Sequence, residues 1–115
     1  MRENKLADLS MNLAVKGLSF ADEIEGHYAL KNQFERSVTS IGANIREANY
    51  AQSKADFISK FQIALKECYE TEYWLELFSN AKIVSAEKVK ELLHDCGEIR
   101  RMLVSSVTTL KKNQE

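Results

Sequence analysis

The sequence of 115 residues contains no proline and only four glycines. Proline interrupts helices and glycine permits tight turns, so the scarcity of both is typical of long helices and argues against a fold rich in β-turns. No uninterrupted apolar run approaches the ~20 residues that a membrane-spanning helix needs. The sequence therefore predicts a helical protein with no membrane partner.

Cysteine and net charge are also scarce. Cys68 and Cys96 lie far apart, lack CxxC spacing and fall on apolar helical stripes, so we expect two reduced, buried thiols. The formal net charge of −1 argues against a surface that is basic over its whole extent, and only a local basic patch stays open. The N-terminus lacks the apolar segment of a signal peptide, and we expect a cytoplasmic protein.

Apolar residues recur at steps of three and four, which is the spacing of one helical face. The pattern predicts a single domain over residues 1–115, with helices at about 3–25, 28–49, 54–79 and 86–111. The third and fourth of these helices carry unbroken heptads. The heptad positions are Phe57, Phe61, Ala64, Cys68, Thr71, Leu75 and Phe78 in the third helix, and Val89, Leu92, Cys96, Ile99, Leu103, Ser106 and Leu110 in the fourth.

The predicted helix ends carry recognisable residues. Gly26 is expected to end the first helix, because glycine enters the left-handed conformation without strain. Ser53 lies three residues before Asp56, which is the spacing of a capping box at a helix start, and Ser85 is expected to cap the fourth helix. Helices of similar length joined by short loops pack as antiparallel neighbours. We therefore predict an all-α, up-down-up-down antiparallel four-helix bundle.

The third helix has more apolar surface than one bundle needs. Ile58 and Leu65 lie on one flank of its heptad, and Tyr69, Tyr73 and Trp74 lie on another. Large exposed aromatic patches usually mark interaction sites. We expect Tyr73 and Trp74 to take part in self-association, and the alternative is that they merely cover the end of the bundle.

The second helix carries a stripe of small and polar residues beside its apolar face. Residues three apart on a helix are neighbours, so Asn44 and Glu47 can share a hydrogen-bond network. We expect Ser40, Asn44 and Glu47 to hold helices or subunits together, and contact with a small ligand or nucleic acid is the alternative. The stripe consists of Gln33, Ser37, Ser40, Asn44 and Glu47.

The sequence offers no arrangement for catalysis or for a cofactor. Glu91 and His94 have the Glu-x-x-His spacing of di-iron bundles, but such sites need two copies and two further glutamates, so we expect a solvated pair. His27 is expected at the surface. Neither cysteine has a histidine at helical contact spacing, and there is no glycine-rich phosphate loop. We predict no enzyme, no metal, no cofactor and no small-molecule substrate.

The run Ser-Ile-Gly-Ala-Asn-Ile-Arg-Glu-Ala at 40–48, followed by Ser53 and Phe57, resembles the four-helix-bundle proteins encoded in 23S rRNA intervening sequences. The resemblance extends from about Leu6 to Leu110. It implies a bundle that assembles into a homopentameric ring, and it does not imply an enzyme. Many members have proline where this chain has Gly42, so a mild kink of the second helix is expected there.

A ring would also multiply any basic patch. Arg36 and Arg46 lie ten residues apart and could line up on one side of the second helix, and Lys54 follows at the start of the third. Five copies of these residues would attract the phosphates of RNA or DNA. Acidic residues such as Glu35 and Glu47 interleave with them, so a solvated face of mixed charge is the favoured interpretation.

The same resemblance reaches a related branch, the accessory variability proteins of diversity-generating retroelements. Those proteins are pentameric and strongly basic, and they work with a reverse transcriptase and nucleic acid. The net charge of −1 departs from that branch. Our first hypothesis is a non-enzymatic homo-oligomeric assembly protein with weak RNA association at most. The alternative is a nucleic-acid-binding accessory protein of a retroelement.

Overall fold

The computed structural model describes residues 2–114, and side chains for residues 5–113. No strand occurs in residues 2–114, and no helix there is both long enough and apolar enough to cross a bilayer. The predicted all-α four-helix bundle is confirmed. Its helices are α1 (Arg2–Asp22), α2 (Tyr28–Ala48), α3 (Lys54–Asn80) and α4 (Ala86–Gln114).

The four helices pack around a closed perimeter. The backbone of each helix lies beside that of the next one in the chain, and α4 returns to α1. Diagonally opposite helices meet through core side chains, as Phe20 of α1 and Phe78 of α3 do. Every loop spans five residues, which is short enough to make successive helices antiparallel. The bundle measures 47 × 21 × 20 Å. Its side formed by α1 and α2 is therefore opposite the side formed by α3 and α4.

The heptads of α3 and α4 supply half of the core. Every predicted heptad position is buried except Phe57 and Leu110, which are partly exposed. Phe20, Phe34 and Phe78 meet at one end of the core with ring centroids 5.6 to 6.0 Å apart and inclined ring planes. Such aromatic contacts contribute about 0.5–1.5 kcal/mol each beyond the area they bury.

Helix α1 ends earlier than its spacing predicts. It stops at Asp22, and the buried Ile24 lies in the loop, where its carbonyl accepts a 2.7 Å hydrogen bond from Lys31 Nζ. Gly26 is left-handed as expected, with φ of 70°, but it lies within the loop and is followed by His27 with φ of 54°. Two successive left-handed residues turn the chain into α2.

The start of α3 has one half of the predicted capping box. Ser53 Oγ accepts a 3.0 Å hydrogen bond from the Asp56 backbone N–H. The Asp56 carboxylate does not return to Ser53, and instead accepts from the Gln52 backbone N–H at 3.4 Å. One side-chain cap of this kind stabilises a helix by about 1 kcal/mol. At the other end of the bundle, α4 begins directly after Ser85.

Helix α2 is not broken at Gly42, and the mild kink expected there stays a prediction. Helix α2 runs without interruption from Tyr28 to Ala48. Glycine keeps its backbone N–H and has no ring to clash with the preceding turn, so it does not break the helix as proline would. Gly42 instead allows α1 to come close, because a Cβ atom at this position would lie 3.1 Å from Ser10 Oγ.

Candidate interaction surfaces

Three exposed apolar side chains form a stripe along α1. Met11, Val15 and Leu18 follow helical spacing and are 51%, 60% and 40% exposed. They border Gly42 and Ala43 of α2 in a groove of about 540 Å³, which we term the α1/α2 groove. Isolated exposed apolar residues are ordinary, but a contiguous apolar groove marks an interaction surface. The groove is lined by Ala7, Ser10, Met11, Ala14, Val15, Leu18, Thr39, Gly42, Ala43, Arg46 and Glu47.

A second set of exposed apolar side chains lies on α3 and α4. Tyr69, Tyr73 and Val104 are 53%, 58% and 40% exposed, and we term them the α3/α4 face. The Tyr69 ring centroid lies 5.6 Å from Arg100 Cζ, and Arg100 Nε donates hydrogen bonds of 3.0 and 3.2 Å to the two carboxylate oxygens of Glu72. Arg100 is thereby held in place, and it supports Tyr69 in one position.

The sequence predicted the aromatic part of the α3/α4 face and missed the stripe on α1. A signal for that stripe was present, because Met11, Val15 and Leu18 recur at steps of four and three on the side of α1 away from Leu6 and Leu13. The apolar series that contains Leu6 and Leu13 is the stronger one, and it predicts only the face of α1 that packs in the core. Helical spacing shows that two stripes exist, but it does not say which neighbour covers each one.

The predicted interface residues of α3 fall into different environments. Tyr73 is well exposed, and its ring centroid lies 5.1 Å from that of Trp74 in an edge-to-face contact. Trp74 is half-buried, and its Nε1 donates a 3.4 Å hydrogen bond to Glu70. Phe57 packs on Phe61 with centroids 4.5 Å apart. Tyr73 is thus available to a partner, while Trp74 and Phe57 pack largely within their own chain.

The predicted network between Asn44 and Glu47 is not formed. Asn44 Nδ2 donates a 2.9 Å hydrogen bond to the carbonyl of Ser40, one turn back along α2. Glu47 instead forms an ion pair with Lys60 of α3 at 3.3 Å. Ser40 Oγ in turn donates a 2.7 Å hydrogen bond to the carbonyl of Arg36. These three residues stabilise α2 and its contact with α3 separately.

Ser37 is the one member of this stripe that lies fully in the core. Thr71 Oγ1 of α3 donates a 2.9 Å hydrogen bond to Ser37 Oγ, which donates a 3.0 Å hydrogen bond to the Phe34 carbonyl. Both hydroxyls are completely buried, and each has a partner. A satisfied polar contact inside an apolar core favours one alignment of the two helices, because a shift would leave the Thr71 hydroxyl without its partner.

Arg36 also joins α2 to α3. Its guanidinium donates to Glu67 at 3.0 Å and to Glu70, so two carboxylates offset its charge. The hydrogen bond from Arg36, assisted by the one from Trp74, holds the pKa of Glu70 below its usual value. Glu67 is 8% exposed, and a carboxylate so buried requires a charged partner.

The predicted alignment of Arg36 and Arg46 on one side of α2 is wrong. Arg36 reaches towards α3, whereas Arg46 lines the α1/α2 groove. Ten residues are nearly three turns of a helix, so the two arginines are not fully aligned. Because α2 packs against α3 on one side and α1 on the other, the two side chains lie beside different helices. Lys54 is exposed at the first position of α3. Arg46 and Lys54 make no ion pair with the described side chains.

No catalytic arrangement is found in the described side chains. They contain no group of three or more potential metal-ligating residues. His94 is exposed, and Glu91 pairs with Lys16 at 2.9 Å. Cys68 and Cys96 are buried free thiols, and the contact with Cys68 together with burial raises the pKa of Cys96. A thiol held protonated in this way is a poor nucleophile.

The structure defines a class of protein, a small all-helical bundle with two exposed apolar surfaces. The family model described as 23S rRNA-intervening sequence protein matches residues 2–105, and the chain belongs to this family. No curated protein matches the chain.

A solved structure is similar over nearly its whole length. It is the crystal structure of a protein with unknown function from the S23 ribosomal protein family of Bacteroides thetaiotaomicron VPI-5482. The two chains are 41% identical and superpose with a TM-score of 0.88, over 94% of this chain and 99% of the other. The predicted family is thereby confirmed.

Proposed function

We propose that this protein is a non-enzymatic assembly protein whose main partner is a second copy of itself. The observation that carries the proposal is the placement of its exposed apolar side chains. Six of the nine large apolar residues exposed in the described chain lie on two surfaces, Met11, Val15 and Leu18 at the α1/α2 groove and Tyr69, Tyr73 and Val104 on the α3/α4 face. The other three, Tyr28, Tyr50 and Ile63, lie outside both. Burying both surfaces against copies of the chain removes apolar area from water.

The two surfaces are unlike each other and lie on opposite sides of the bundle. A two-fold dimer would use the same surface twice and would leave the other exposed. A head-to-tail contact, in which the α3/α4 face of one copy enters the α1/α2 groove of the next, covers both. Repeating such a contact closes a ring when the rotation between copies permits it. The resemblance noted in the sequence implies a ring of five copies.

We place this assembly in the cytoplasm. Cys68 and Cys96 are free thiols, which suits a reducing compartment. Neither the family match nor the similar structure indicates a catalytic family. The proposed task is therefore to present an assembled surface to another macromolecule, and not to transform a substrate.

Size-exclusion chromatography with light scattering tests the proposal, with absorbance read at two wavelengths to detect co-purifying nucleic acid. We expect a mass near five times 13.1 kDa. Val15→Glu in the groove and Tyr73→Glu on the α3/α4 face should each yield monomers, because either charge would be buried unpaired in the interface. The matched controls are Tyr28→Glu and Tyr50→Glu, which alter side chains 73% and 82% exposed outside both surfaces.

Mixing the two monomeric variants separates head-to-tail contact from a two-fold dimer. Val15→Glu keeps an intact α3/α4 face, and Tyr73→Glu keeps an intact groove. One productive contact is therefore restored, and a one-to-one heterodimer should form without growing further. If either variant alone stays assembled while the other dissociates, a two-fold contact through a single surface is indicated. A monomeric wild-type protein contradicts the proposal.

A second candidate function is RNA association, and a specific observation favours it. Arg46 and Lys54 make no ion pair with the described side chains, and both lie at the end of the bundle where α2 ends and α3 begins. Arg46 also lines the α1/α2 groove, so in the assembly it would contact RNA only from the edge of that interface, whereas Lys54 lies outside it. A ring would bring the copies of this end together on one side. The retroelement role is a narrower form of this candidate, and it also requires a reverse transcriptase as partner.

A further inference from the structure

At one end of the bundle, two core positions are only partly covered by the described side chains. Glu47, next to last in α2, pairs with Lys60, which lies almost two turns inside α3. The first turns of α3 therefore project beyond α2, and α4 continues beside them to Gln114. Phe57 and Leu110 occupy heptad positions in this projecting part, and they are the two heptad residues that stay partly exposed.

A pocket of about 540 Å³ opens between the projecting parts of α3 and α4. Phe57, Phe61 and Leu110 form its apolar wall, and Lys54 and Thr109 lie at its rim. We term it the end pocket. Its volume falls in the range of pockets that hold small organic ligands.

Among the described residues, the charge at the rim of the end pocket has one sign. Lys54 is exposed and makes no ion pair or hydrogen bond with the described side chains, and none of the described residues that line the pocket is acidic. Ser53 Oγ, also at the rim, already accepts from the Asp56 N–H. An apolar wall beside one unpaired ammonium group complements a molecule with an apolar body and a single anionic head.

We propose that the end pocket binds an amphiphilic organic anion, an alkyl or aryl carboxylate. The body lies against Phe57, Phe61 and Leu110, and the carboxylate pairs with Lys54. The end pocket shares no lining residue with the α1/α2 groove, and it contains no residue of the α3/α4 face. This site is therefore independent of the proposed assembly.

Isothermal titration calorimetry of the full chain with decanoate tests the site. We expect one saturable site per chain. Lys54→Met should weaken decanoate binding by about two- to fivefold, because it removes an exposed ion pair. Thr109→Trp should weaken it more than tenfold by filling the pocket. Lys66→Met, an exposed lysine of α3 outside the pocket, is the matched control and should leave the affinity unchanged.

Three results would overturn the proposal. They are the absence of saturable heat, equal weakening by Lys54→Met and Lys66→Met, and unaltered binding to a folded Thr109→Trp variant. The monomeric Val15→Glu and Tyr73→Glu variants separate this site from the assembly surfaces. Both should bind decanoate as the wild type does, and loss of binding in either would assign the heat to an assembly surface.

Discussion

At the scale of single residues, the contact between α2 and α3 depends on a few polar pairs. Thr71 and Ser37 satisfy each other in the core, and Arg36 reaches both Glu67 and Glu70 at its edge. A buried hydroxyl or carboxylate is costly when unpaired, by about 1–3 kcal/mol for a neutral group. These pairs therefore penalise any alternative alignment of the two helices more than they add to the stability of the observed one.

Glu70 makes the free energy of unfolding depend on pH. Arg36 holds the pKa of Glu70 below its usual value of 4.5, so the folded state binds a proton there less readily than the unfolded state. The stabilisation is complete above the unfolded value and is lost as pH falls through the lower folded value. We expect Glu70→Gln to lower the free energy of unfolding at pH 7 by about 0.2–1 kcal/mol, since the pair is partly exposed.

Urea unfolding at pH 7 and at about pH 3 measures this effect. The difference between wild type and Glu70→Gln should shrink at the acidic pH, because the unfolded state then binds a proton at Glu70 and the folded state gives up the Arg36 pair as its own lowered pKa is approached. Glu76→Gln is the matched control on the same helix, since Glu76 has no ion pair with the described side chains. A difference that persists unchanged in acid would assign the role of Glu70 to packing.

At the scale of helices, two glycines occupy unlike positions. A Cβ atom at Gly17 of α1 would lie 3.0 Å from Val38 Cγ2 and 3.3 Å from the Phe34 ring, both of which are fully buried. A Cβ atom at Gly97 of α4 would meet the guanidinium of Arg101 at 3.2 Å. The neighbours of Gly17 are confined by the core, whereas the end of an arginine side chain can move aside.

The same substitution at these two positions should have opposite effects. Alanine favours a helix over glycine by about 1 kcal/mol, and overpacking a core costs about 1–3 kcal/mol. We expect Gly17→Ala to destabilise the bundle by about 1 kcal/mol and Gly97→Ala to stabilise it by up to about 1 kcal/mol. Chemical denaturation of both variants measures these changes in the free energy of unfolding. If Gly17→Ala were the more stable variant, the space around Gly17 would accommodate a methyl group without strain.

At the scale of the whole molecule, the perimeter packing separates the two apolar surfaces by the width of the bundle. This separation is what makes the proposed contact head to tail. It also determines where charge accumulates in the proposed assembly, because every copy would turn the end with Arg46 and Lys54 in the same direction. A chain with a net charge of −1 would then carry a local basic surface.

Salt dependence tests whether this basic surface binds RNA. Under the second candidate function, we expect a labelled single-stranded RNA to bind weakly and to dissociate as salt increases. The steepness of the plot of log binding constant against log salt concentration should decrease by about 0.7 for each phosphate that the Arg46→Ala/Lys54→Ala variant no longer neutralises. Fluorescence anisotropy at several salt concentrations measures this slope, and Lys66→Ala/Lys90→Ala is the charge-matched control. Equal slopes for both double variants would exclude Arg46 and Lys54 as phosphate-binding residues.

The sequence by itself determined the helices, their order and the family. Apolar spacing, the absence of proline and the cap at Ser53 are local properties, and local hydrogen bonding is sufficient to express them. The heptads of α3 and α4 identified core residues for the same reason, because helix geometry assigns each position to a face. The end of α1 was less predictable, since Ile24 continues the apolar spacing of α1 and is buried, yet it lies in the loop, where its carbonyl accepts from Lys31 Nζ.

Only the tertiary structure decided which faces meet and which remain open. Arg36 and Arg46 share a helix but follow different neighbours, and Asn44 and Glu47 turn to different partners. That the stripe of Met11, Val15 and Leu18 stays uncovered is known only from the packing of the helices, and the end pocket follows from their unequal reach. Helical spacing predicts which residues share a face of a helix, whereas contacts between residues distant in sequence determine which neighbour covers that face.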